Sequence, residues 1–226
     1  MEIKKFEYYF DLKEFKHKKI FENCEYIFDV FKKLNDYIKQ NLKPEILGTV
    51  MPGAFVDKNV YIGKGTVVQP GAWVREPSII GENCEIRHGA YVGFNTLAGD
   101  RVVLGHDSEI GNSIFLNDSR APHFAFVGHS ILGNRVNLGA GTKLSNLKVT
   151  WKEIEIEKMK TSTKYLGAII GDNSSLGCNT VTQPGTFIGK NVFGYPLALI
   201  GGFIPSNKII KVRQTQEIAE FDPNRN

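Results

Sequence analysis

The sequence predicts a mainly β protein: a left-handed parallel β-helix built from hexapeptide repeats, with an N-terminal α-helical cap. Three observations predict it. An aliphatic residue recurs every six positions from Val50, glycine directly follows many of these residues, and a separate helical period is confined to the first 45 residues.

The six-residue period runs through Val50, Val56, Ile62, Val68, Val74, Ile80, Ile86, Val92, Ala98, Leu104, Ile110 and Leu116, with glycine following at 63, 81, 93, 105 and 111. An amphipathic helix repeats near 3.6 and a half-buried strand near 2, so neither accounts for it. The physical solution is a triangular coil. Each hexapeptide supplies one short strand and one corner, its aliphatic residue pointing inward onto the equivalents above and below. Gly, Asn and Asp take the corners, where positive φ is cheap, as in Gly63-Lys64-Gly65 and Gly81-Glu82-Asn83. Three hexapeptides make a turn, so residues 18 apart stack at roughly 4.8 Å. No coil buries its core alone, and stacking is obligatory.

The register slips over 117–127, resumes at Leu132, Leu138 and Leu144, is lost over 145–169 and returns at Ile170, Leu176, Thr182 and Ile188. The 145–169 stretch therefore leaves the coil as a loop insertion. Its alternation of Trp151, Ile154 and Ile156 with charges suggests a β-hairpin. Residues 46–206 form the β-helix domain on this reading. Residues 1–45 are a helical segment, with Ile20, Phe21, Cys24, Ile27, Phe28, Phe31, Leu34 and Ile38 in helical spacing. That spacing predicts a helix from about Phe15 to Leu42, interrupted near Asn23, that caps the first coil. Residues 207–226 offer a strand at 208–212 and a polar tail.

Composition narrows the function classes. Of 226 residues, 42% are apolar and the formal net charge is only +4, with no basic run, so nucleic-acid binding has no support. The three cysteines, Cys24, Cys84 and Cys178, are far apart and form no C-x-x-C pair, which argues against a disulfide framework or zinc knuckle. Buried free thiols and a cytoplasmic location are expected, because no apolar run is long enough for a signal peptide or membrane span.

Five histidines are the candidates for chemistry. His17 is expected on the surface of the helix. His88 and His106 are 18 apart and should stack on one wall; His123 follows after 17, and His129 falls on another face. Such a column is either corner histidine, a polar cleft wall, or a metal site.

The segment 122–148, with Pro122-His123-Phe124, Val136-Asn137-Leu138-Gly139-Ala140-Gly141-Thr142 and Ser145-Asn146-Leu147, together with 166–172, resembles the C-terminal acetyltransferase domain of the bifunctional N-acetylglucosamine-1-phosphate uridyltransferases and archaeal-type sugar-phosphate nucleotidyltransferases. The resemblance covers about residues 55–195. It implies an acetyl-CoA-dependent acyltransferase acting on an amino sugar phosphate or sugar nucleotide, working as a homotrimer without a resident metal. His123 would be the general base that makes the sugar amine nucleophilic, a task suited to an imidazole near neutral pH. Asn137 would contact the sugar; His88 and His106, placed on one wall by their spacing of 18, are the further substrate-binding candidates. Asn146 and Ala140 would lie on the acyl-donor side, and Lys164, at the end of the insertion, would contact donor or sugar phosphate. A corner asparagine also tolerates left-handed φ, which alone would account for Asn137 and Asn146.

The chain departs from the family at three positions. The usual tyrosine after the histidine is Phe126, and the two phosphate-binding cations fall at Gly93 and Gly111. Arg87, Arg101 or Arg120 could substitute. Only 45 residues precede the coil, so no uridyltransferase half and no pyrophosphorylase activity are expected. The losses motivate an alternative, a non-catalytic scaffold or sugar-nucleotide-binding protein. The histidine column motivates another, a zinc-dependent protein resembling γ-class carbonic anhydrases.

Overall fold

A computed structural model of the chain describes residues 5–156 and 159–220. Its body is a left-handed parallel β-helix whose walls are three parallel sheets of nine, nine and eight short strands, here A, B and C in the order the chain visits them. The six-residue period is the cause. Val50, Val56, Ile62, Val68, Val74, Ile80, Ile86, Val92, Ala98, Leu104 and Ile110 all line one interior cluster, which continues through Leu132, Leu138, Leu144, Ile170, Leu176 and Ile188. The corners turn as the glycine and asparagine pattern requires, with Gly65 at φ +74° and Asn83 at φ +54°.

Leu116 breaks the pattern. Phe115 points into the coil instead, and Leu116 packs on the outside. The slip lies at two C-to-A corners and not over 117–127. Thr96 pairs with Ser113 and Ile114 with Ile131, offsets of 17, whereas Thr96 pairs back to Ser78 at 18. Each of the corners at 111–113 and 128–130 is therefore one residue short. At the next C-to-A corner the chain makes its excursion, and Ile131 pairs with Ile169 across it. The insertion is a hairpin as expected, Glu155–Ile156 against Met159–Lys160, with Ile154 and Ile156 buried and Trp151 exposed. The coil also extends past the expected limit at 206, because Ile209–Ile210 is the last strand of sheet B.

The cap is present, and it lies along a side wall. In place of one long helix it forms a turn of helix at Phe6–Tyr9, 3-10 turns at Lys18–Phe21 and Ile27–Asp29, and a 12-residue α-helix, Val30–Asn41. Its apolar side chains (Tyr9, Phe10, Phe15, Phe21, Phe28, Leu34 and Ile38) pack on the outward residues of sheet A: Ile79, Leu97, Ile114, Ile131, Ile169 and Phe187. Those outward apolar residues are the reason. A sheet apolar on both faces has to be covered on both.

The route is held by a ladder of polar corner residues. Tyr8 Oη accepts from Ser206 N (2.9 Å) and Asp172 Oδ2 from Asp11 N (2.7 Å). Asn134 Nδ2 donates to the Asp11 carbonyl (2.8 Å), Asn117 Nδ2 to that of Glu14 (3.0 Å), and Lys16 pairs with Glu82 (2.8 Å). The strap thus descends one edge of sheet A from the last coils to the early ones. The α-helix covers the other edge, where Asn35 Nδ2 donates to Asn95 Oδ1 (2.6 Å). His17 is half-buried in this cap beside the Tyr37 ring, not on a helix surface, and burial lowers its pKa. Sheets B and C have no such cover among the described residues, and Phe55, Trp73 and Tyr91 stand exposed in register on sheet C.

Candidate functional site

The histidine column forms at the edge between sheets B and C. His88 and His106 stack with ring centroids 5.7 Å apart and planes at 22°. Each commits its Nδ1 to a backbone carbonyl one coil below, that of Pro70 (2.6 Å) and that of His88 (3.0 Å). His123 is next in the column, its Cα in register with that of His106. The ring that meets His106 from this coil, however, is Phe124, edge-on at 5.1 Å. His123 itself ends the strand Arg120–His123 with its side chain exposed. Among the described residues no group of three or more His, Cys, Asp or Glu could hold a metal ion.

Ala140 occupies the following corner, where Gly141 N donates to the His123 carbonyl (3.0 Å) and Asn179 N to that of Ala140 (2.8 Å). Cys178 stands one coil further and is exposed, contrary to the expectation of a buried thiol; Cys24 is half-buried. Only Cys84 is interior, where burial pushes its thiol up to about 11 and leaves it without a nucleophilic thiolate at neutral pH.

Asn137 lies on sheet B, paired directly with Arg120 and three residues before the Ala140 corner. Of the three candidate arginines, Arg101 is held by both carboxylate oxygens of Asp118 (2.7 and 2.9 Å) and Arg87 by Glu85 (2.8 Å). Arg120 is exposed, with no ion pair among the described residues. His123, Asn137 and Arg120 therefore share one wall: a base, an amide and an unspent cation. The value of Arg120 was not separable from that of Arg87 and Arg101 in sequence, because only the paired acids distinguish them.

The other expected residues stand elsewhere. Asn146 and the insertion are at the edge between sheets C and A. Asn146 Nδ2 donates to His129 Nδ1 (3.1 Å), and Lys164 is exposed on the returning arm of the insertion. Gly111 and Gly128 are paired on this same edge, with Gly93 next to Gly111. A Cβ on Gly111 would meet nothing within 4 Å, so the place of one missing family cation is open space. Left-handed φ does not explain the two asparagines: Asn83, Asn95, Asn112 and Asn179 have positive φ, and Asn137 and Asn146 do not. Beside Asn146 runs a mainly apolar groove of about 450 Å³, lined by Ser145, Leu147, Val149, Val181, Pro184 and Leu199 among others.

One chain thus divides the expected site between two edges. His123 and His129 are separated by six residues, at most roughly 20 Å of extended chain, and by the width of sheet C. No helix of the described residues is long and apolar enough to cross a membrane.

Comparison with known proteins fits this architecture. Residues 74–165 match the family model described as the GMPPB C-terminal domain. The bifunctional sugar-1-phosphate nucleotidylyltransferase/acetyltransferase of Sulfurisphaera tokodaii is 32% identical over 104 residues, covering 44% of this chain and 26% of that protein. The bifunctional protein GlmU of Methanococcus aeolicus is 37% identical over 161 residues, covering 70% of this chain and 39% of that protein. The chain therefore spans well under half the length of these relatives. Among solved structures, the UDP-N-acetylglucosamine O-acyltransferase (LpxA) of Moraxella catarrhalis shares the fold at a TM-score of 0.53 and 16% identity, over 71% of this chain and 66% of that one. In sequence the β-helix resembles GlmU-type acetyltransferase domains, and with the Moraxella catarrhalis enzyme it shares the fold.

Proposed function

We propose that the chain is a coenzyme A-dependent acyltransferase acting on an amino sugar phosphate or sugar nucleotide. The observation that carries the reading is the wall at the B–C edge: exposed His123, with Asn137 and the unpaired Arg120 on the adjoining face. In this reading His123 removes a proton from the sugar amine as its nitrogen attacks the thioester carbonyl. Collapse of the tetrahedral intermediate expels the coenzyme A thiolate, which takes up the proton from the imidazolium. Asn137 orients the sugar, and Arg120 supplies a cation to its phosphate where Gly93 and Gly111 do not. The donor-side residues are Ala140, Asn146 and Lys164. The groove beside Asn146 has the apolar lining a pantetheine arm would need.

Asn146 and Lys164 stand on the C–A edge and His123 on the B–C edge, so one chain does not assemble this site. A second copy that brings its C–A edge to the first copy's B–C edge does, and three copies close the arrangement, which is the homotrimer the resemblance implies. Sheet A is roofed by the cap and the α-helix covers the C–A edge as far as His129, so the contact would be made on the part of that edge beyond it, where Lys164 stands exposed.

The test is a calorimetric titration with acetyl-CoA beside desulfo-coenzyme A, followed by an amino-sugar acceptor screen. Saturable micromolar binding, about −8 kcal/mol, with turnover lost in His123→Ala, is the expected result. Absence of binding by any coenzyme A species sinks the reading. It would favour a non-catalytic sugar-nucleotide-binding protein, for which the absence of cations at Gly93 and Gly111 and the missing hydroxyl at Phe126 speak. The zinc reading gains nothing from the geometry, since among the described residues no three His, Cys, Asp or Glu side chains come together to hold a metal ion.

A further inference from the structure

His129 has no task in the reaction above, yet it is the most heavily constrained imidazole of the coil. It sits at one of the shortened C-to-A corners, one coil before the corner where the insertion leaves and returns. Its carbonyl accepts from Gly167 N (2.9 Å), and the Asn146 carbonyl accepts from Leu166 N (2.9 Å), so both ends of the insertion are tied at this corner. Its ring stacks on Tyr165 (5.3 Å, 21°) and meets Phe31 of the cap at 6.2 Å. A Cβ on Gly128 would collide with the Asn146 amide, so the amide is packed tightly against the corner.

The hydrogen bond between Asn146 Nδ2 and His129 Nδ1 fixes the imidazole's tautomer. A carboxamide nitrogen only donates, so Nδ1 accepts and the ring proton is on Nε2. Burial lowers the pKa of His129 to about 4, which keeps Nδ1 available as an acceptor at neutral pH. In the cavity around the ring the other ionisable groups are Lys32 of the cap, paired with Asp29 (2.7 Å), and Tyr165 of the insertion. A phenylalanine would supply the same aromatic stack without the cost of a desolvated imidazole. What histidine adds is the acceptor, and the group it receives is Asn146.

We infer that His129 is a positioning residue for the donor-side wall: it holds the Asn146 carboxamide in one orientation through Nδ1 and, through its stack on Tyr165, sets the segment that carries Lys164. What Asn146 contacts rests on the acyltransferase reading; the hold of His129 on Asn146 does not. The two are separable by experiment.

The variants are His129→Phe, Asn146→Ala and the double substitution. Two quantities are read: acetyl-CoA affinity by calorimetry, and the side-chain amide signals of Asn146 by NMR between pH 3.5 and 8. In the unaltered protein the Asn146 signals should hold constant down to about pH 5 and shift as His129 protonates below that. In His129→Phe they should move at every pH to the values of a free carboxamide, with no fall in melting temperature at pH 7. Acetyl-CoA should bind about tenfold more weakly to either single variant, and no more weakly to the double variant than to Asn146→Ala. Unmoved Asn146 signals in His129→Phe overturn the inference, as do additive losses in the double variant. If the unaltered protein binds no acetyl-CoA, the acyltransferase reading fails, and the NMR comparison alone decides whether His129 holds Asn146.

Discussion

His123 and His129 are six residues apart in one coil and stand on neighbouring edges of the same prism. One is an exposed side chain at the end of a strand. The other is roofed by Phe31 from the cap and Tyr165 from the insertion, and it takes up a second ring proton and becomes charged only below about pH 4. The coil places both by the same rule, one corner per hexapeptide. Their chemistry differs because of what is laid over each edge. The solenoid supplies repeated addresses, and the segments outside it decide which addresses are open to solvent and which are constrained.

The largest expected effect is at the open edge. Replacing His123 by Ala should lower acyl transfer by about 10²–10⁴-fold, while the exposed position should leave the melting curve within about 0.5 kcal/mol of the parent. Unchanged turnover would remove His123 from the mechanism and, with it, the contrast between the two edges. Next in size is the roof. Phe187 is fully buried between sheet A and the rings of Tyr9 and Phe28, so Phe187→Ala should cost about 3–5 kcal/mol in urea unfolding. A loss under 1 kcal/mol would mean that the cap is loosely held.

The covered edge should also announce itself in the pH dependence of stability. The pKa of His129 is about 4 in the folded chain, and an imidazole in the unfolded chain titrates near 6.5. Between those values only the unfolded state takes up the proton. Stability should therefore be complete above pH 6.5 and decline as pH falls toward 4, by on the order of 2–3 kcal/mol. His129→Phe should abolish that component, and an identical pH profile in the variant would show that the ring is not desolvated.

Smaller effects test the strap and the interior. Asn117→Ala removes the donor to the Glu14 carbonyl and the acceptor for Asp100 N, and should cost about 1–2 kcal/mol. Thr182 points into the coil, and its hydroxyl finds no partner among the described residues. Thr182→Val, which keeps the shape, should raise stability by about 1 kcal/mol.

Much of the fold was legible because the coil interior is a local code. Each inward residue is announced six positions ahead and answered about 18 positions on, so periodicity alone predicted the stacked walls of the coil. The misplacements have identifiable causes. Leu116 fell out of the interior because a corner at 111–113 is one residue short, and the loss of phase becomes visible only downstream. The continuous helix expected from Phe15 divided into 3-10 turns and a shorter helix, because its apolar residues answer to an outward-facing row on sheet A and not to one another.

The candidate site was legible in part. His123, Asn137, Asn146, Ala140 and Lys164 were named from a resemblance, and the structure distributes them over two edges, a division no linear spacing reveals. The sequence by itself determined the hexapeptide coil, the residues that fill it and the place where it is interrupted, since these depend on contacts repeated at a constant interval. The tertiary structure alone decided that the first 45 residues lie along sheet A, that Arg120 is left unpaired while Arg87 and Arg101 are neutralised, and that His129 is enclosed while His123 is open. Apart from the pairing of Arg87 with Glu85 two residues away, these depend on contacts between separate segments, where burial and charge pairing follow from which surfaces meet and not from any period along the chain.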